Sequence, residues 1–432
     1  MAAQPALARI QTIDAVRGVA VMGILLLNII AFSMPQAAYM NPRAYGGADG
    51  ANLLVYLVNF ILFDGKMRGL FSFLFGASTL LVIEHAEAKG ESAARVHFLR
   101  MAWLLVFGLA HLYFVWWGDI LSLYAPVGMI AFFFRDQPVP VLLRIGAMLI
   151  LLQSALMLTI PLDYRLAEIG AAQHQATAMR HLADYRNQFG VPAPETIARD
   201  LALFRGSYAG IVADRIGRHL WSPVQSFFFV GLETLGYMLF GMAAFRSGLF
   251  SGGWERKRYL RWIAIGFGLS LPAYAALATY LVRSGFSGFS VALGVAALPT
   301  LVRPPMILGW GCLIVLLARS GGALTRRLAA AGRMAFTNYL VTSLICTALF
   351  YGYGLGWYGD FERAPVYLVV LALWAAMLLW SRPWLERFRY GPFEWLWRSL
   401  ARGRFERMTG GAYPRAAIGQ TRSTESSANA SQ

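Results

Sequence analysis

Nine apolar runs recur along the chain, at roughly 13–33, 98–116, 119–134, 140–160, 225–245, 259–282, 299–318, 334–350 and 364–380. Each approaches the about 17–25 residues that a helix needs to cross a bilayer. A soluble protein carries about 25% charged residues. This chain carries 14%, with 58% hydrophobic residues, so it lacks the polar surface to stay in water. The remaining apolar surface must face lipid. The same hydrophobicity excludes disorder for most of the length. Cys312 and Cys346 both lie in apolar runs, which argues against a disulfide framework and for two small buried hydrophobes. The expected fold is all-α, a polytopic transmembrane helix bundle.

Charge then orients it. The net charge is +16, but the basic residues sit between the apolar runs and after the last one. That placement answers to membrane orientation and not to nucleic acid. Stretch 51–83 is interrupted by Asp64-Gly65-Lys66-Met67-Arg68 and reads as one broken element or as two short spans. A single crossing gives ten spans. Both termini then share a side with 22 Lys and Arg, against Arg43, Arg283, Arg303 and Arg363 in the short opposite loops. The positive-inside rule places that basic side in the cytoplasm. Two crossings would give eleven spans and flip the N-terminus.

The chain divides at this level into a first membrane bundle over 1–160, an external helical loop over 161–224 and a second membrane domain over 225–400. A polar tail over 408–432 is expected to be disordered. The loop's seven Arg do not oppose the orientation, because long loops translocate regardless of charge. Helices are expected in it at 165–189 and 195–203. The run from Ile13 to Phe32 is longer than a signal h-region and contains Asp14 and Arg17, so it is expected to be retained. Walker A, dinucleotide and Cys-x-x-Cys motifs are absent. His174 and His181 lack the neighbours of a metal site.

Polar groups inside membrane spans are costly and mark sites or pathways by default. Asp14 and Arg17 share a helix face at i and i+3. They read either as a structural pair at the interface or as a phosphate clamp. Asn28 lies three turns along the same face. Asp64, Lys66 and Arg68 sit at a helix break, where Lys66 and Arg68 are candidate anion ligands; a plain interfacial loop is the alternative. His111-Leu-Tyr113-Phe-Val-Trp116-Trp117-Gly118-Asp119 ends one span and opens the next. Asp119 is placed to cap the following helix and to meet His111 across the turn. That pairing would fix the imidazole as a general base. The aromatic residues also suit an interface belt. Tyr124 is a candidate for lining the same cavity. Glu233, in mid-span, needs a partner, with His219 or an arginine as candidates. Thr337 and Asn338 read as polar glue or site residues. The basic, aromatic block 389–398 reads as a foot on the membrane surface.

The opening Ile10-Gln-Thr-Ile-Asp14-Ala-Val-Arg17-Gly18 through Asn28 resembles the first-helix signature of the YeiB-type bacterial inner-membrane proteins. So do Gly65-Lys66-Met-Arg68-Gly-Leu-Phe-Ser72 through Gly76, the segment His111 to Tyr124, Gly332-Arg333 through Tyr339, Tyr351-Gly-Tyr-Gly-Leu-Gly, and Gly391-Pro-Phe-Glu394-Trp-Leu-Trp-Arg398. The set runs in order from 9 to about 407. This resemblance implies a bacterial inner membrane. Asp-x-x-Arg-Gly is also similar to the first helix of membrane acyltransferases such as the heparan glucosaminide acetyltransferases. That likeness implies transfer of an acyl group from cytoplasmic acyl-CoA to a hydroxyl or amine of an envelope or exported molecule, a glycan or small metabolite.

On this reading His111 is the base and Asp119 its orienter. Tyr124 or Asn28 would steady the oxyanion. Arg17, Lys66 and Arg68 would hold the CoA phosphates. The alternative is a transporter or export component, with Asp14–Arg17, Asp64 and Glu233 as a gated polar path. A third is a non-catalytic envelope protein.

Overall fold

A computed structural model describes residues 4–409. Apart from one isolated bridge between Phe388 and Thr409, the described residues form helices and their connections. The tail expected to be disordered lies, from residue 410, outside the described residues.

The elements run α1 (Gln4–Ser33), α2 (Ala37–Met40), α3 (Gly50–Leu62), α4 (Lys66–Glu87), α5 (Ala93–Phe114) and α6 (Leu121–Ala131). There follow α7 (Val139–Ala172), α8 (Ala176–Phe189), α9 (Pro194–Phe204), α10 (Tyr208–His219), α11 (Ser222–Arg246) and α12 (Arg256–Arg283). Last come α13 (Gly288–Val291), α14 (Pro299–Ala318), α15 (Ala323–Arg333), α16 (Ala335–Phe350), α17 (Arg363–Arg387) and α18 (Pro392–Arg402). Eight helical stretches are long and apolar enough to cross a membrane, Gly50–Glu87 counting as one. Leu121–Phe134 and α16 are shorter; the first runs from Asp119 to Arg135, which Arg246 holds, and the second from the Glu394 cap to Tyr351, which packs on Phe204.

One end, the cap, gathers α2, α8, α9, α10 and α13 with the turns after α1, α5 and α16. Gly359 N–H donates to Ser33 O at 2.8 Å, Gly352 N–H to Phe204 O at 2.8 Å, and the Tyr358 hydroxyl to Met34 O at 2.7 Å. The other end, the base, holds α15, α18 and the turns after α4, α6 and α11. There Arg246 donates to the carbonyls of Arg135 and Gln137, and the Trp397 indole donates to Arg100 O at 2.8 Å. The expected helix over 165–189 is instead the outer end of α7, a turn at 173–175, and α8. The helix after Pro194 is α9. A short helical piece over 288–297, outside the nine apolar runs, follows α12, and its second part, Ala292–Ala297, is a π-turn.

Small residues let the inner helices touch. A methyl group on Gly76 would strike Met238 O, and one on Gly241 would strike Phe73 O. α4 and α11 therefore meet backbone to backbone, the arrangement small residues permit in lipid, where no hydrophobic force drives helices together. Around this seam pack Leu70, Phe73, Tyr124, Tyr237, Met238 and Ile307.

The break in stretch 51–83 falls at Gly65, whose φ of +67° favours glycine. α3 has 13 residues, about 20 Å, and stays near the cap. Its Asn52 bonds to Glu362 at 2.9 Å and accepts Ala364 N–H at 2.8 Å, and its Asn59 donates to the Tyr367 hydroxyl at 2.8 Å. The 22 residues of α4, about 33 Å, make the crossing. The break thus lies in the cap half of the bundle.

Candidate functional site

The side chains singled out in the sequence fall into three groups. At the cap end, α5 breaks after Phe114 and α6 begins at Leu121, which folds His111 and Asp119 onto each other. His111 Nδ1 lies 2.9 Å from Asp119 Oδ1, and both side chains are buried. Asp119 Oδ2 accepts the Ser122 N–H at 2.6 Å, so the same carboxylate caps α6. A carboxylate only accepts, so the shared proton belongs to Nδ1. In the neutral ring Nε2 is then the basic nitrogen. It is buried and has no hydrogen-bond partner. Tyr339 and Trp116 flank the ring, with centroids 5.2 and 6.3 Å away, and Trp116 stacks on Phe32 at 3.9 Å. A held imidazole with one nitrogen oriented and the other free of a partner can take a proton from a hydroxyl or amine brought to it.

Outside this dyad, a crevice of about 130 Å³ lies within the cap, lined by Gln36, Trp117, Asp200, Asp214, Arg215 and Arg218 among others. Trp117 packs against Trp116 at 5.9 Å, which links the crevice wall to the dyad. Burial raises the Asp200 carboxyl above its ordinary range, with Arg199 opposing. Arg215 is 4% exposed and donates to Tyr113 O at 3.4 Å.

The second group is an ion network inside the bundle. Glu233 on α11 accepts from Arg68 on α4 and from Arg303 on α14, and the Tyr237 hydroxyl donates to it at 2.8 Å. His219 takes no part. Tyr124 does not line the His111 cavity as expected. It faces α4, where its hydroxyl donates to Arg68 O at 3.1 Å and lies 2.5 Å from Ser72 Oγ. Lys66 is fully buried; it donates to Phe60 O at 2.6 Å and lies 3.2 Å from the Tyr274 ring centroid. Asp64 sits within charge range of Lys66 and Arg303.

The third group is at the base. Arg17 donates to Asp14 and to Ser78 Oγ, each at 2.8 Å. Lys66 and Arg68 are therefore not beside Arg17. The expectation of one phosphate clamp made by all three fails on placement, because α3 stays at the cap and the break lies in the opposite half of the bundle. Asn28 is half-buried and makes no side-chain hydrogen bond among the described residues. Asn338 donates to Ala331 O at 3.0 Å and Ser381 Oγ at 3.2 Å, and accepts from the Trp380 indole at 3.0 Å, which ties α15, α16 and α17. On α18, Glu394 accepts the N–H groups of Phe336 at 2.8 Å and Thr337 at 3.0 Å and bonds the Thr337 hydroxyl. It caps α16 from another helix. Burial raises its carboxyl above the usual range while these bonds oppose the shift.

Sequence reasoning missed Arg303, which it counted as a loop residue, and Tyr339. Arg303 carries a weak signal, a charge beside Pro304 and Pro305 in an apolar run.

Residues 244–404 match the family described as Protein of unknown function (DUF418). The chain is 32% identical over 412 residues to the Uncharacterized protein YeiB of Escherichia coli (strain K12), covering 90% of this chain and 95% of that one. It is 30% identical over 410 residues to the Uncharacterized protein YxaH of Bacillus subtilis (strain 168), covering 90% and 94%. No solved structure matches.

Proposed function

The chain belongs to the YeiB-type family of DUF418 membrane proteins, and on that premise we propose that it is an acyltransferase of the bacterial inner membrane. It moves an acyl group from cytoplasmic acyl-CoA to a hydroxyl or amine presented under the cap. The observation that carries this reading is the buried His111–Asp119 dyad with an unpartnered Nε2.

Asp119 holds the ring in one tautomer and stabilises the imidazolium that forms when Nε2 accepts the acceptor's proton. The deprotonated oxygen or nitrogen attacks the thioester carbonyl. Collapse of the tetrahedral adduct expels the CoA thiolate, which takes a proton, and leaves the ester or amide. The base, with its excess of Lys and Arg, faces the cytoplasm. The cap faces outward, and its crevice admits the acceptor. Arg17 belongs to the donor's side. Lys66 and Arg68 do not, since both are engaged inside the bundle. The Glu233 network, closed on itself by two arginines, weighs against a polar path for transport.

Calorimetry of detergent-purified protein with acyl-CoAs of several chain lengths tests the proposal. Saturable binding, unchanged in His111→Ala, is the expected result. A folded protein that binds none of them contradicts it.

A further inference from the structure

At the base, α5 and α18 meet where the Trp397 indole donates to Arg100 O at 2.8 Å, and Arg100 and Arg398 each lie within charge range of the other and of Arg17 and Arg402. Two of these are committed. Arg17 bonds Asp14 and Ser78, and Arg402 bonds Glu406 at 2.6 Å. Two buried acids lie within charge range of Arg398: Glu394 is occupied capping α16, and Asp14 is paired with Arg17. Glu91 lies within charge range of Arg402. Among the described residues, Arg100 and Arg398 make no salt bridge.

Arg100 stacks over Trp397, its guanidinium carbon 4.2 Å from the ring centroid, and Arg398 lies 4.7 Å from the Tyr390 centroid. Stacking uses the flat face of a guanidinium and leaves its fork of in-plane donors available. Each guanidinium is held against a ring, and both residues are half-buried, so salt screens them less than exposed charges. Burial, with Arg402 and Arg17 nearby, holds the Arg398 guanidinium below its ordinary range. Such a group of like charges is stabilised by an anion that bridges it. A phosphate or diphosphate matches the paired forks.

We infer that Arg100 and Arg398, backed by Arg17 and Arg402, form a phosphate-binding site at the base of the bundle. The ligand class is a phosphate or diphosphate anion, supplied either by a soluble CoA-type donor or by an anionic phospholipid headgroup. The CoA arm rests on the acyltransferase reading; the site itself does not.

The test uses full-length protein in uncharged detergent and phosphate-free buffer. The probes are CoA, inorganic pyrophosphate, and nanodiscs containing either cardiolipin or only zwitterionic lipid. Wild type is compared with Arg100→Gln, Arg398→Gln and the charge-keeping Arg398→Lys. CoA or pyrophosphate binding that weakens about tenfold or more in each Gln variant, and less in the Lys variant, supports the site with a soluble source. Selective cardiolipin binding lost in the Gln variants, with no CoA binding, supports the site with a lipid source and removes the donor. Without any anion, the Gln variants should melt no lower than wild type, because repulsion is relieved. Gln variants that melt lower without anion show that the two arginines are structural, and overturn the site. Acyl-CoA binding equally tight in wild type and both Gln variants overturns the site while leaving the acyltransferase reading intact. Binding of none of the probes also overturns it.

Discussion

Two carboxylates show how burial divides roles among like residues. Glu233 is buried with two guanidinium groups and a hydroxyl, which hold both of its oxygens. Removing one partner of a buried ion group costs about 3–5 kcal/mol, because the remaining charges lose compensation. Glu233→Gln should destabilise the protein by that order, read as a lower melting temperature in detergent. Asp119 is buried with a histidine and one backbone N–H. It holds an imidazole whose other nitrogen has no partner. Asp119→Asn keeps the shape but can donate to the ring and select the wrong tautomer. On the proposed function, acyl transfer should fall by about 10²–10⁴-fold while acyl-CoA affinity stays within a few fold. Equal losses in binding and transfer would place Asp119 in the fold alone.

At the scale of helices, the sequence reading succeeded where one element decided the outcome. The nine apolar runs all appear as helices because in lipid each backbone must satisfy itself. Asp14 and Arg17 pair because both lie on one helix, and His111 meets Asp119 because eight residues and one tight turn separate them. The reading failed where the answer lay between distant elements. Arg303 finds Glu233 across 70 positions, and Tyr124 turns to α4 and not to His111. The basic residues after Gly65 lie in the cap half and not beside Arg17, and nothing local in the sequence shows that α3 stops short near the cap. The glycine contact between α4 and α11 is a further distant feature, and it holds the Arg68–Glu233 pair in register. Gly76→Leu or Gly241→Leu drives a side chain into the facing backbone carbonyl. Each should cost about 3 kcal/mol or more and lower the yield of monodisperse protein. Wild-type melting curves for both variants would show that the seam has slack.

For the whole molecule, the ten helical passages place both described termini at the base, which carries most of the Lys and Arg. On the proposed orientation this end faces the cytoplasm. Cys312 and Cys346 are fully buried, so a single introduced cysteine reports accessibility against a quiet background. Lys89→Cys at the base should react with an impermeant maleimide only in inside-out vesicles. Arg180→Cys in the cap should react only in intact spheroplasts. The reverse pattern would invert the orientation and put the dyad on the donor's side.

Acyl transfer by the His111–Asp119 dyad across this bundle is measured by supplying radiolabelled acyl-CoA to membrane vesicles of defined orientation and following label into envelope glycans and exported metabolites. The prediction is transfer when acyl-CoA meets the base side, and loss of transfer in His111→Ala with donor binding retained. Label transfer that is equal in wild type and His111→Ala, or absent from both with acyl-CoA on either side, would contradict the account.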